Sequence, residues 1–125
     1  MSVSSRTPLS SPQSNSYEIV LTPSATVDAA VLSGATYKLA SLVIDNSGNS
    51  SAVTLKIIDA ATATVGTTSA DHEFTVKAGK VMRMNFSDDK PTFATGLTMW
   101  CVTSTAVTGA TSPTSTVTVT LVAHQ

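Results

Sequence analysis

From residue 17 to residue 123 apolar and polar positions alternate with a period of two, the mark of strands that bury one face. The first such run is 17–21, with Tyr17, Ile19 and Leu21 on one side. A short apolar piece at 29–32 is followed by Ser33 and Gly34, which turn the chain into 37–44. Asp45, Asn46, Ser47, Gly48 and Asn49 are dense in residues that tolerate left-handed backbone angles, and alternation resumes over 52–58, so this pair is expected to be a hairpin. A second hairpin is expected where Ala78, Gly79 and Lys80 separate 72–76 from 81–86. After a polar loop at 87–91 and a bend between Phe93 and Gly96 come a strand at 97–102, a long Thr-, Ser- and Gly-bearing loop at 103–115, and a last strand at 116–123. There Val117, Val119 and Leu121 oppose Thr116, Thr118 and Thr120.

The pattern predicts an all-β protein, an antiparallel β-sandwich of about eight strands of jelly-roll or Ig-like type. Two segments break the simple alternation. Residues 39–44 and 97–102 are apolar on both faces, as central strands are, yet a two-layer sandwich buries only one face of each sheet. The second face needs a cover: a folded-back loop, the N-terminal segment, or another copy of the chain. Leu42, Ile44, Trp100 and Val102 are therefore candidate oligomer-interface residues, and a closed homotrimer is the expected assembly.

Composition sharpens this picture. Only 12% of residues are charged, against about 25% in a typical soluble domain. Thr and Ser together make up 39 of the 125 residues, a neutral hydroxyl coat. Net charge is −1 with no Lys/Arg run, which argues against nucleic acid as a partner. No apolar stretch reaches the 18 or so residues of a membrane span, so no membrane partner is expected either. The first residues carry no apolar core of a Sec signal, which points to a protein made and used without secretion. Outside a secretory lumen the triplets beginning at Asn49 and Asn85 are loop and strand-end residues rather than glycan acceptors.

Chemistry-bearing residues are sparse. A triad needs a base, and the histidines are His72 and the penultimate His124. Within Asp71, His72 and Glu73 strand alternation sends the imidazole and the carboxylates to opposite faces, so the trio does not converge on a metal. Residues 45–49 superficially suit a calcium loop, but its sixth and twelfth positions are Ser50 and Lys56 instead of glycine and glutamate. Asp88 and Asp89 read as solvated loop carboxylates. Cys101, alone, reads as a small buried hydrophobe. The expectation is a protein that is not an enzyme, with no catalytic residues, metal or cofactor.

Residues 1–15 hold six Ser and two Pro and lack apolar periodicity, so they are expected to be a flexible arm ahead of a sandwich domain at 16–125. Val3, Arg6, Pro8, Leu9 and Pro12 suit a segment that orders on docking. The order of Gly34-Ala35-Thr36-Tyr37-Lys38-Leu39, Val43-Ile44-Asp45-Asn46, Ala78-Gly79-Lys80 and Thr95-Gly96-Leu97-Thr98 resembles small β-sandwich virion proteins of tailed bacteriophages, over residues 17–123. The resemblance implies a structural role on the capsid surface of a virion: a capsid decoration (cement) protein that binds the major capsid protein with its arm. The alternative is a head- or tail-fibre adaptor contacting host surface glycans through the 103–115 loop.

Overall fold

Ten strands and no helix make up the described part of the chain. The structure, a computed structural model, describes residues 2–6, 14–21, 29–86 and 89–124. The strands are β1 (Ser2–Arg6), β2 (Ser14–Leu21), β3 (Ala29–Ser33), β4 (Tyr37–Asp45), β5 (Val53–Asp59), β6 (His72–Val76), β7 (Val81–Asn85), β8 (Thr92–Phe93), β9 (Gly96–Val102) and β10 (Val117–His124). One sheet has the order β1-β2-β10-β4-β7, with β8 also on β4, and the other has β3-β9-β5-β6. All pairings are antiparallel.

Setting β1 and β8 aside, the pairs nest: β2 with β10, β3 with β9, β4 with β7, β5 with β6. The chain is one long hairpin of four strand pairs rolled over into two facing sheets. That connectivity is a jelly roll and decides against the Ig-like alternative. β4 and β9 occupy interior sheet positions, as their doubly apolar sequences require.

Both expected hairpins are corrected. β4 and β5 lie in different sheets, as do β6 and β7, so the 45–49 and 78–80 turns carry the chain across the sandwich instead of pairing their flanking strands. Their residues still do the turning. Asp45 Oδ1 accepts the Ser47 N–H at 2.9 Å, and Gly79 takes φ 71°, a conformation that costs other residues strain.

What holds the crossings side by side is a pair of buried asparagines, Asn46 and Asn49. Asn46 Nδ2 donates to the carbonyls of Ser51 (3.1 Å), Val76 (3.2 Å) and Lys77 (3.1 Å). Its backbone N–H donates to Lys80 O, and Gly79 N–H donates to Asn49 O. Asn49 Nδ2 donates to Asn46 Oδ1 (2.9 Å) and Ser115 O (3.1 Å), while its Oδ1 accepts the Ser115 N–H at 2.7 Å. Two side chains thus tie three connections together at one end of the sandwich.

The core lies between the sheets. Tyr17, Leu21, Leu39, Leu42, Ile44, Val117, Val119 and Leu121 meet Leu32, Val53, Leu55, Ile57, Leu97, Met99 and Cys101 across it. Full burial of one such aliphatic side chain stabilises by roughly 1.5–3 kcal/mol. Leu39 and Leu42 both point inward although three positions apart, because the β4–β10 register shifts between Val122 and Ala123 and Ala40 is passed over as a bulge. At the opposite end Gly96 sits where a Cβ would come within 2.9 Å of Ala60 O, so the close approach of β9 to the β5–β6 connection depends on it. Asp59 Oδ1 accepts the N–H groups of Thr95 (2.8 Å) and Gly96 (3.2 Å), and these bonds hold its carboxyl below the usual range.

β1, within the serine-rich segment, pairs with β2 in the register Ser2↔Val20 to Arg6↔Ser16 and forms the edge of its sheet. Val3 and Arg6 lie on that strand; Pro8, Leu9 and Pro12, and Asp88 of the acidic pair, lie outside the described residues.

Candidate functional site

The two outer faces of the sandwich are built differently. On the outside of β3-β9-β5-β6, alternation places Thr54, Lys56 and Ile58 of β5 opposite Val102, Trp100 and Thr98 of β9. None of the β9 residues reaches solvent: Thr98 and Val102 are fully buried and Trp100 is 1% exposed. Lys56, also 1% exposed, explains how. Its Nζ donates to the carbonyls of Ala106 (2.7 Å) and Thr105 (3.3 Å), which brings the β9–β10 loop over this face. Glu73 Oε1, half exposed on β6, is 3.6 Å from the same ammonium. Charged donors on fixed carbonyls make hydrogen bonds about twice as strong as neutral ones.

The loop has structure of its own. Thr103 N–H donates to Thr111 O, Gly109 N–H to Ala106 O, and Ala106 N–H to Ser104 Oγ. The β5–β6 connection joins it: Thr98 Oγ1 donates to Ala60 O at 2.7 Å, and Gly66 lies against Ala110. The cover demanded by the doubly apolar β9 is therefore the chain's own loops.

Among the described residues the outside of the other sheet is not closed in this way. Across β2, β10, β4 and β7 the register aligns Val20, Thr118, Asp45 and Val81 in one row and Glu18, Thr120, Val43 and Arg83 in the next. All eight are half-buried or exposed, with Val81 at 43%. The hydroxyl and N–H of Ser47 hold the Asp45 carboxyl below the usual carboxylate range, and Arg83 adds to this. The result is a sheet face four strands wide, made of β-branched and hydroxyl side chains, with Glu18 and Arg83 at opposite margins and the Asp45 carboxylate on β4 between them.

The four residues expected at an oligomer interface are placed elsewhere. Leu42 and Ile44 are in the core between the sheets, and Trp100 and Val102 are buried on the outside of β9 within the single chain. All four are out of reach of a second copy, because alternation and the register bulge turn the first two inward and the loop beside Lys56 lies over the face of the others. Lys56 is signalled in the sequence only as a lone lysine between the apolar Leu55 and Ile57, and Glu18 and Arg83 fall in one row only through the strand order.

The Asp71, His72 and Glu73 trio is divided. Asp71 Oδ2 accepts the Asp59 N–H at 3.0 Å, His72 stacks edge-on against Phe93, and Glu73 faces Lys56. Among the described residues no three His, Cys, Asp or Glu side chains stand together as a metal site. Burial pushes the Cys101 thiol up to about 12. The folded protein is accordingly expected to leave Cys101 unlabelled by an aromatic disulfide reagent at neutral pH, and to react fully in denaturant; rapid labelling of the native protein would contradict this placement.

The chain matches no family model and no curated protein. Among solved structures it is similar to the coat protein of tobacco streak virus, at 8% identity over 86% of this chain and 85% of that one, with a TM-score of 0.36. A superposition that loose leaves both class and role to the residues. They define an eight-stranded jelly roll with two added strands, sealed on one outer face and open on the other.

Proposed function

We propose that this protein is a structural component of a virion, a decoration protein that seats on the outer surface of the major capsid protein shell and stabilises it by bridging subunits. The observation that carries the reading is the contrast between the two outer faces. One is closed by the chain's own loops, and the other is a broad sheet surface of valine and threonine with a few charges of both signs, of the kind that packs against protein. The likeness of residues 17–123 to phage virion proteins supplies the setting, and many weak replicated contacts on a lattice supply the affinity. The serine- and proline-bearing segment, with β1 at the sheet's edge, is the part offered to the shell. The fibre-adaptor alternative draws less support, since its contact loop at 103–115 is tied down by Lys56 rather than projecting.

Light scattering on the purified protein, alone and with shells of the major capsid protein from the same virus, tests this. Full-length protein is expected to add saturable mass to the shells. A variant lacking residues 1–13 is expected to stay folded and bind them poorly. Full-length protein that leaves the shells' mass unchanged would overturn the reading.

A further inference from the structure

The open sheet face is complementary to itself. In the row Glu18, Thr120, Val43, Arg83, the carboxylate stands on β2 and the guanidinium on β7, equidistant in strand count from the line between β10 and β4. In the neighbouring row Val20 and Val81 occupy the same two margins. A two-fold axis lying along that line, parallel to the strands, turns each margin of one copy onto the opposite margin of the other. Glu18 then meets Arg83 twice and Val20 meets Val81 twice at the margins, while beside the axis Thr120 meets Val43 twice and Thr118 meets Asp45 twice, each carboxylate opposite a hydroxyl.

Resting on the assembly role proposed above, we infer that the occupant of this face is a second copy of the chain, packed sheet to sheet about a two-fold axis, with Glu18 and Arg83 setting the register. Two twisted sheets pack this way about 10 Å apart with strands within about 30° of each other. A closed isologous contact satisfies both copies with one patch. A three-fold ring, the assembly expected from sequence, brings no Glu18 to an Arg83 across this face. Glu18 is already engaged within its own chain, and a carboxylate's two oxygens accept further donors. β1 lies one strand beyond β2 on one side only, so it overhangs the pair and stays available to the shell.

The area sets the strength. Four strands at about 4.8 Å and eight residues at about 3.4 Å give a face of roughly 19 Å by 27 Å, on the order of 500 Å² per copy. The total of about 1,000 Å² falls at the low end of specific interfaces, so the pair is weak and concentration-dependent in solution.

Sedimentation equilibrium over a wide concentration range reads the pair directly. The full chain is expected to approach two protomer masses at high concentration. E18R and R83E each replace two attractions by two repulsions and are expected to weaken pairing by about tenfold or more. Mixed in equal amounts, the two variants restore complementary margins and are expected to pair again, which also shows that both are folded. A wild-type chain that stays monomeric, one that settles at three copies, single variants that pair unchanged, or a mixture that stays apart would each overturn the inference. Shell binding measured on the same wild-type sample separates the two readings: binding by a monomer defeats only the pair, and a pair that ignores shells defeats only the decoration role.

Discussion

Asn46→Asp is expected to lower the melting temperature by on the order of 10–20 °C, measured by circular dichroism at neutral pH. The replacement keeps shape and volume and removes only the donor amide. The carbonyls of Ser51, Val76 and Lys77 lose their shared Nδ2–H partner, and a carboxylate takes its place at the same distances. Each buried polar group left without a partner costs about 1–3 kcal/mol, more where charge is involved, so a loss of about 3–5 kcal/mol is expected. That is a large share of the roughly 5–15 kcal/mol holding a domain folded. Ser47→Ala, one residue away on the exposed side of the turn, is expected to shift the melting temperature by only a degree or two. Equal effects from the two would show that the turn, rather than the buried amide, carries the corner.

Lys56→Met is expected to release the cover over β9. Methionine matches the stem in length and apolar character but leaves the carbonyls of Thr105 and Ala106 without their donor. Replacing a buried charge by a hydrophobe is often neutral when both partners go together. Here the acceptors are backbone and remain, so a loss of about 2–3 kcal/mol is expected. Trp100 is the sole tryptophan and lies opposite Lys56 in register. Its emission is expected to move to the red and its quenching by acrylamide to rise several-fold. Glu73→Gln is expected to cost less than about 1 kcal/mol, since the carboxylate is half exposed and the carbonyls keep their donor. Unchanged quenching in Lys56→Met would mean that the loop holds its place through other contacts.

These two residues mark where the sequence was and was not legible. The period-two runs located the strands from 17 onward except the two-residue β8, which reads as a bend, and the doubly apolar character of 39–44 and 97–102 correctly assigned them to sheet interiors. The turns at 45–49 and 78–80 were also visible. Which sheet received the strand after each turn was not, because Asp45 and Gly79 specify only that the chain reverses. The partner of the next strand is fixed by residues far along the chain, as when Asn46 bonds to Val76 and Lys77. β1 escaped notice because SVSSR has no apolar alternation, and an edge strand held by backbone pairing needs none. The open face was illegible for the same reason as the hairpins: Glu18 and Arg83 share a row only once β10 and β4 stand between β2 and β7.

The nested pairing also sets the order in which the molecule can come into being. β10, the last of the ten described strands, lies between β2 and β4. Until it leaves the ribosome the larger sheet is two separate ribbons, β1 with β2 and β4 with β7 and β8, each with an unpaired inner edge. Contacts closed over so long a stretch of chain are slow to form, which puts folding of such topologies in the range of about milliseconds to seconds. A chain without β10 therefore exposes sticky edges, and only one that includes it presents a closed jelly roll.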